Sequence, residues 1–144
     1  MTAKRIYVAS SWRNERYSEI VKALQRAGHE VNDFRNPPCG SGGFQWEDVD
    51  PDFESWTTAE YKERLLKSPI VSHGFLSDMR ALVWCDTCVL VMPCGSSAHL
   101  ELGWCAGAGK RTIVFLGEGR PELMYLLADS LAVDEDELLR EISL

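Results

Sequence analysis

The sequence predicts an α/β fold in which a mostly parallel sheet of about five strands lies between two layers of helices. Short runs rich in β-branched residues alternate along the chain with segments whose apolar residues recur at helical spacing. The run Thr87–Met92 (TCVLVM) is apolar without alternation, which is typical of a central parallel strand covered on both faces. Such strand–helix alternation requires right-handed crossovers, which place helices on both faces of the sheet.

The first third of the chain predicts two strands, one helix and a long loop. Lys4–Ala9 (KRIYVA) is a β-branched and aromatic run, and a helix is predicted over Arg13–Ala27. Glu30–Phe34 alternates weakly and predicts the second strand. Arg35–Asp52 combines Pro37 and Pro38 with three glycines and with aromatic residues such as Trp46, so we expect an irregular loop with a function.

The rest of the chain continues the alternation and completes a single domain over residues 1–144. Predicted helices cover Glu54–Lys67, Gly74–Trp84, a segment from Ser96 or Ser97 to Gly107, Pro121–Ala128 and a C-terminal helix capped by Asp134 that buries Leu138, Leu139 and Ile142. Predicted strands cover Thr87–Met92, Arg111–Leu116 and Leu131–Val133. Five strands fit a flavodoxin-like (Rossmann-like) three-layer sandwich with the strand order 2-1-3-4-5.

Composition and charge narrow the classes of partner. With 144 residues, 45% hydrophobic and 26% charged, the chain matches one globular domain. A net charge of -7 disfavours a nucleic acid polymer or an anionic membrane as partner. Because no apolar run approaches ~20 residues and the N-terminus leads directly into a strand, we expect a cytoplasmic protein. Five cysteines at irregular spacing require no disulfide framework.

Ligands of such sheets bind beyond the strand carboxyl ends, where the strand order reverses between the first and third strands. The candidate binding residues at that point follow these two strands: Ser10, Ser11, Trp12, Gly95, Ser96 and Ser97. The second segment opens a helix, whose unpaired backbone N–H groups can seat a phosphate or a hydroxyl-rich group. A serine that merely caps the helix is the plainer alternative, and it is compatible with binding.

Two carboxylates and a tyrosine are candidates for catalysis at the same crevice. Glu101 lies about one turn into the helix, where the macrodipole favours an ionised carboxylate; a glutamate that only complements the dipole is the simpler alternative. Asp78, with apolar neighbours, could supply a second carboxylate, and paired carboxylates beside a sugar divide the work of charge stabilisation and proton transfer. The Tyr7 hydroxyl could reach Glu101 or a backbone partner. Asp86 is a weaker candidate, because an aspartate before a buried strand is commonly a cap.

Aromatic residues could add a surface on which a base stacks. Trp12, Trp46 and Trp56 occupy loop or loop-adjacent positions. Packing in a local core is the simpler role for each of them.

Three segments, KRIYVASSWRN, FLSDMRALVWCD and PCGSSAHLELGWCAGAGK, resemble the nucleoside 2-deoxyribosyltransferase-like family, which includes nucleoside and nucleotide N-glycosidases. The likeness covers most of residues 4–116. It implies that Glu101 attacks or stabilises C1′ of a (deoxy)ribose, that Asp78 assists the leaving base, that Tyr7 orients the glutamate, and that a homodimer forms with its sites near the interface. The chemistry needs no metal and no cofactor.

One departure from the family pattern bears on the type of reaction. Transferase members of the family tend to carry an aspartate shortly before the glutamate motif, where this chain has Gly95, Ser96 and Ser97. The serine-bearing turn is more similar to members that accept a 5′-phosphate, which favours hydrolysis over base exchange.

Three alternatives remain beside this hypothesis. A nucleotide-sensing module without turnover would use the same features except the paired carboxylates. A zinc deaminase would use the His99-x-Glu101 pair, but no Pro-Cys-x-x-Cys segment follows, and strand spacing predicts that Cys85 and Cys88 point to opposite faces. Cys94, beside a helix N-terminus, could be a nucleophile paired with a histidine, although a buried structural thiol is commoner there.

Overall fold

In a computed structural model, residues 2–36, 42–118 and 120–144 are described, so Pro37, Pro38, Cys39 and Gly40 of the predicted loop lie outside the described residues. The strands are β1 Arg5–Ala9, β2 Glu30–Asn32, β3 Thr87–Val91, β4 Arg111–Phe115 and β5 Ser130–Ala132. They form a parallel sheet in the order β2-β1-β3-β4-β5. The predicted fold class and strand order are therefore confirmed.

Five helices accompany the sheet in the described residues: α1 Tyr17–Arg26, α2 Thr58–Lys67, α3 Pro69–Trp84, α4 Ser96–Gly107 and α5 Glu135–Ser143. Three boundaries differ clearly from the prediction. Helix α2 begins at Thr58 and not at Glu54, because Thr57 caps it and Phe53–Ser55 forms a separate 3₁₀ helix. Helix α1 begins at Tyr17, since Asn14 organises a turn before it by accepting a hydrogen bond from the Arg16 N–H at 2.8 Å. Helix α3 begins at Pro69 and not at Gly74, because proline, which lacks an N–H, fits the first helical position.

The C-terminal part of the prediction needs two corrections. Leu123–Leu127 forms a 3₁₀ helix where an α-helix over Pro121–Ala128 was expected. In α5, Leu138 and Ile142 are buried but Leu139 is half-buried, because it lies one position around the helix from the apolar stripe. Asp134 caps α5 as predicted, and its side chain accepts a hydrogen bond from the Glu137 N–H at 2.8 Å.

The chain divides into two compact units, one of which, Met1–Asp33 with Leu82–Leu144, contains the sheet. All five residues of β3 are buried, as expected for a strand covered on both faces. Helices α1 and α5 contact each other, and α4 contacts β1, β3 and β4. These contacts make the sheet the middle layer of a three-layer fold.

The other unit, Phe34–Ala81, contains a cluster of aromatic side chains. The Trp46 ring centroid lies 6.0 Å from that of Trp56 and 5.7 Å from that of Tyr61. The Trp56 indole N–H donates to the Asp50 carboxylate at 2.9 Å, and the Arg64 guanidinium lies 5.6 Å from the Trp56 ring centroid. Trp46 and Trp56 thus pack in a local core, which is the simpler of the two roles expected for them.

Within the described residues, no helix is both long enough and apolar enough to span a membrane.

Candidate active site

The carboxyl ends of β1 and β3 lie side by side, with Ala9 opposite Leu90 in the register. Side-chain hydrogen bonds join the loop after β1 to the last residue of β3 and to the loop that follows it. The Ser10 hydroxyl donates to the Val91 carbonyl at 2.9 Å. Asn14 donates through Nδ2 to the carbonyls of Val91 and Pro93, at 3.1 and 3.0 Å.

Asn14 is a residue that sequence reasoning missed. It is 4% exposed, and its amide uses both the nitrogen and the oxygen on backbone groups. The signal for it was an asparagine in a turn between a strand and a helix, where asparagine commonly binds backbone groups. Its two donor bonds cross from one loop to the other, so Asn14 sets the spacing of the crevice.

Glu101 and Tyr7 meet above the sheet. Tyr7 is the third residue of β1 and is 2% exposed, while Glu101 lies in α4, which covers β1 and β3, and is half-buried. The Tyr7 hydroxyl donates a hydrogen bond to Oε2 of Glu101. Because strand β1 fixes the tyrosine, this bond restricts where the carboxylate points.

The first turn of α4 is open to solvent at the serine pair. Gly95 is the N-cap in an extended conformation, and no side chain caps the helix. Ser96 and Ser97 are exposed, and their hydroxyls make no hydrogen bond with the described residues. The capping role considered for a serine is therefore wrong. The backbone N–H groups of the first turn and the hydroxyls of both serines lie together at this end of the helix.

Cys94 lies just before the N-cap of α4, close enough to Glu101 to be influenced by its charge. Its Sγ is 3.5 Å from Sδ of Met92 and 3.8 Å from Nδ1 of His99. Burial, and then the negative charge of Glu101, raise the pKa of the Cys94 thiol to about 11. The thiol is therefore protonated at neutral pH and is a poor nucleophile.

His99 is occupied by other partners. Its Nδ1 lies 2.8 Å from the Gly95 carbonyl oxygen, and its Nε2 lies 2.8 Å from the Tyr125 hydroxyl oxygen. A carbonyl only accepts, so Nδ1 carries a proton, while the Tyr125 hydroxyl also donates to Sδ of Met92 at 3.1 Å. In this state His99 cannot take a proton from Cys94.

The other candidates take separate positions. Ser11 accepts a hydrogen bond from the Arg13 N–H at 3.3 Å, and Trp12 is 38% exposed. Asp86 lies at the opposite edge of the sheet, where it accepts from the Arg5 N–H at 3.1 Å and from the Thr87 hydroxyl at 2.8 Å. These bonds match the capping role considered for Asp86.

Asp78 belongs to helix α3 and to the Phe34–Ala81 unit. Since the helix begins at Pro69, Asp78 lies in its third turn and not near its start. Burial raises the pKa of the Asp78 carboxyl from 3.8 to about 6. A carboxyl with such a pKa can exchange a proton near neutral pH.

The cysteines of the deaminase hypothesis are buried. Cys85, Cys88 and Cys105 are buried free thiols, and the Cys85 thiol donates to the Leu82 carbonyl at 3.2 Å. Residues 2–36, 42–118 and 120–144 contain no group of three His, Cys, Asp or Glu side chains that could hold a metal ion.

The fold is shared with solved structures of known proteins. A 2-deoxyribosyltransferase from Bacillus psychrosaccharolyticus is 20% identical, with a TM-score of 0.63 over 93% of this chain and 89% of that one. A Clostridium botulinum CMP N-glycosidase is 19% identical, with a TM-score of 0.52 over 98% of this chain and 100% of that one. A conserved protein from Enterococcus faecalis is 13% identical, with a TM-score of 0.63 over 99% and 98%. No family model and no curated protein matches the chain.

Proposed function

We propose that this protein hydrolyses the N-glycosidic bond of a nucleoside or nucleoside 5′-monophosphate, with Glu101 acting at C1′. The observation that carries the proposal is the hydrogen bond from Tyr7 to Glu101 beside the joined ends of β1 and β3. The family resemblance of the sequence supports it, as does a fold shared with a deoxyribosyltransferase and a CMP N-glycosidase.

The chemistry depends on the charge that develops on the sugar. As the bond from C1′ to the base nitrogen breaks, C1′ acquires oxocarbenium character, and a nearby carboxylate stabilises it or attacks it. Tyr7 holds the Glu101 carboxylate in one orientation, which lowers the cost of positioning it. Water then completes the hydrolysis by adding to C1′, and the base leaves with a proton.

Asp78 is proposed to manage that proton. Its raised pKa, about 6, leaves a fraction of the carboxyl protonated near neutral pH, so the group can donate to a leaving base. The same group, once ionised, can activate the incoming water.

The substrate's hydroxyl or phosphate groups are assigned to the turn before α4. Gly95, Ser96 and Ser97 combine the N–H groups of a helix N-terminus with two exposed hydroxyls. On the side of β1, Ser10, Ser11 and Trp12 complete the proposed binding residues, with the half-exposed Trp12 ring proposed as a stacking surface for the base.

The test is to incubate the protein with nucleosides and 5′-monophosphates and to follow free base by chromatography. We expect Glu101→Gln, which keeps the shape but removes the charge, to lower kcat by about 10³-fold. Tyr7→Phe, which removes only the hydroxyl, should lower kcat by about tenfold. Base release that persists in Glu101→Gln would remove the glutamate from its role. Tight binding without release would instead favour the nucleotide-sensing module.

We also propose a homodimer, formed through helix α2. No residue of α2 is buried, yet its large apolar residues Tyr61, Leu65 and Leu66 are exposed, and so is Ile70 just beyond it. A second copy would cover this apolar surface. Light scattering of wild type and Leu66→Glu tests the proposal, which requires the variant to dissociate; a monomeric wild type would contradict it.

A further inference from the structure

A pocket of about 410 Å³ opens at the carboxyl ends of β4 and β5, and Glu101, Tyr7 and Asp78 are not among its lining residues. Its apolar lining comes mainly from the segments after β3 and β4: Met92, Leu116, Pro121, Leu123, Leu126 and Leu131. Leu126 is 79% exposed and Leu123 is 75% exposed, so the apolar wall is accessible. The volume lies within the range of small-molecule sites.

One guanidinium group lines this pocket, and a second lies beside one of its lining residues. Arg120 is part of the lining. Arg16 reaches Gly117, another lining residue, so closely that a Cβ at Gly117 would lie 2.9 Å from its Nη1. The Arg16 guanidinium also lies 5.9 Å from the Phe115 ring centroid, at the end of β4.

Neither guanidinium is neutralised. In the described part of the chain, Arg5, Lys67 and Arg111 each have a carboxylate within ion-pair distance. Among the same described residues, Arg16 and Arg120 have none. Glu122 also lines the pocket; its carboxylate forms no ion pair with either guanidinium and instead accepts a hydrogen bond from the Met124 N–H at 3.0 Å. In a chain with a net charge of -7, two unpaired cations at one apolar pocket favour an anionic ligand.

We propose that this pocket binds a small amphipathic anion, an aromatic or apolar body that carries a carboxylate, sulfonate or phosphate. The apolar body contacts the leucines, and the anionic group is bound by Arg16 and Arg120, since guanidinium groups pair with planar and tetrahedral oxyanions through two parallel hydrogen bonds. Met92 and Tyr125 form the wall towards α4, where the Tyr125 hydroxyl contacts His99. The proposed pocket does not use Glu101, Tyr7 or Asp78.

The test uses two fluorescent probes that differ in one group: 8-anilino-1-naphthalenesulfonate and its neutral counterpart N-phenyl-1-naphthylamine. We expect the Arg16→Gln/Arg120→Gln double variant to raise the Kd of the sulfonate about tenfold and to leave the Kd of the neutral probe unchanged. Arg26→Gln/Arg140→Gln is the matched control, because it removes the same charge from other surfaces. Equal weakening of the sulfonate by both double variants would overturn the proposal.

A second pair of variants tests the apolar wall. Leu126→Asp, at an exposed position that the fold does not need buried, should weaken both probes at least fivefold, whereas Val83→Asp, on another exposed surface, should weaken neither. Retention of both probes by Leu126→Asp would place them elsewhere and overturn the proposal. So would light scattering that shows wild type as a dimer and Leu126→Asp as a monomer, because a second copy would then occupy the pocket.

Discussion

Cys94 lies beside Glu101 without sharing its proposed chemistry. Cys94 lies in the loop just before α4 and Glu101 lies in α4 itself. The charge of Glu101 is one of the causes that raise the pKa of the Cys94 thiol. A thiol with a pKa of about 11 is about 10⁻⁴ ionised at pH 7. The features that make this turn suitable for binding an oxyanion therefore do not produce a reactive cysteine.

Cys94→Ser tests this distinction. Serine preserves the size and the hydrogen-bonding capacity of the side chain, so we expect kcat/KM for base release to stay within about twofold of wild type. Alkylation of wild-type Cys94 by iodoacetamide should be slow at pH 7 and accelerate as the pH approaches 11. A collapse of turnover in the variant, or rapid alkylation at pH 7, would make Cys94 a candidate nucleophile again.

At the scale of elements, Asn14 joins the loop after β1 to the loop after β3. We expect Asn14→Ala to lower the free energy of unfolding by about 2 kcal/mol, since it leaves the buried carbonyl of Val91 with fewer donors and deprives the Arg16 N–H of its acceptor. Urea denaturation measures the change. The Ser143→Ala control removes an exposed hydrogen bond to the Arg140 carbonyl and should alter stability by less than about 0.5 kcal/mol.

The Asn14 variant also tests the spacing of the crevice. Because the asparagine holds Pro93, just before the Gly95–Ser97 turn, we expect KM for a phosphorylated substrate to rise in Asn14→Ala. Stability and KM that both match wild type would show that the hydrogen bonds from Asn14 do not hold the loops.

Much of the fold could be predicted because its elements depend on local patterns. The apolar run of β3 and the cap at Asp134 are both readable within a few residues. The start of α1 could not be predicted, because it depends on the orientation of the Asn14 side chain. That side chain is held by the carbonyls of Val91 and Pro93, which lie 77 and 79 residues further along the chain. The start of α3 was placed too late, at Gly74, although a proline such as Pro69 commonly begins a helix.

The candidate site could be predicted in part for a similar reason. Strand order and the rule for ligand position are enough to bring the ends of β1 and β3 together, and Glu101 and Tyr7 follow from them. The partners of His99 were not predictable, because its contact with Tyr125 depends on how the 3₁₀ helix after β4 packs against α4.

For the whole molecule, the buried His29 and the half-buried Asp78 make stability depend on pH in opposite directions. Burial, and then the charge of Lys4, lower the pKa of His29, whose Nδ1 accepts a hydrogen bond from the Lys4 N–H at 3.0 Å. Since the unfolded chain then binds the proton more tightly, His29 removes stability as the pH falls below about 6.5. Asp78 has a raised pKa, so its contribution is present at low pH and is lost as the pH rises through about 6.

Asp78→Asn isolates the second of these effects. Asparagine resembles the protonated carboxyl and cannot ionise, so the variant should match wild type near pH 4 and gain stability over it as the pH rises through about 6. Because the sequence pI is about 4.9, the comparison is best made between pH 5.5 and 7.5, where the chain keeps its negative charge. We expect the Tm of Asp78→Asn to exceed that of wild type by about 3 °C more at pH 7.5 than at pH 5.5. Asp136→Asn, at an exposed position on α5, should show no such difference between the two pH values.

If Asp78 also donates a proton to the leaving base, the Asp78→Asn variant will be more stable and less active than wild type. Such a trade-off between stability and activity is expected when a carboxyl with a shifted pKa is kept for catalysis. An Asp78→Asn protein whose Tm follows that of wild type at both pH values would show that the carboxyl is not buried in the folded protein.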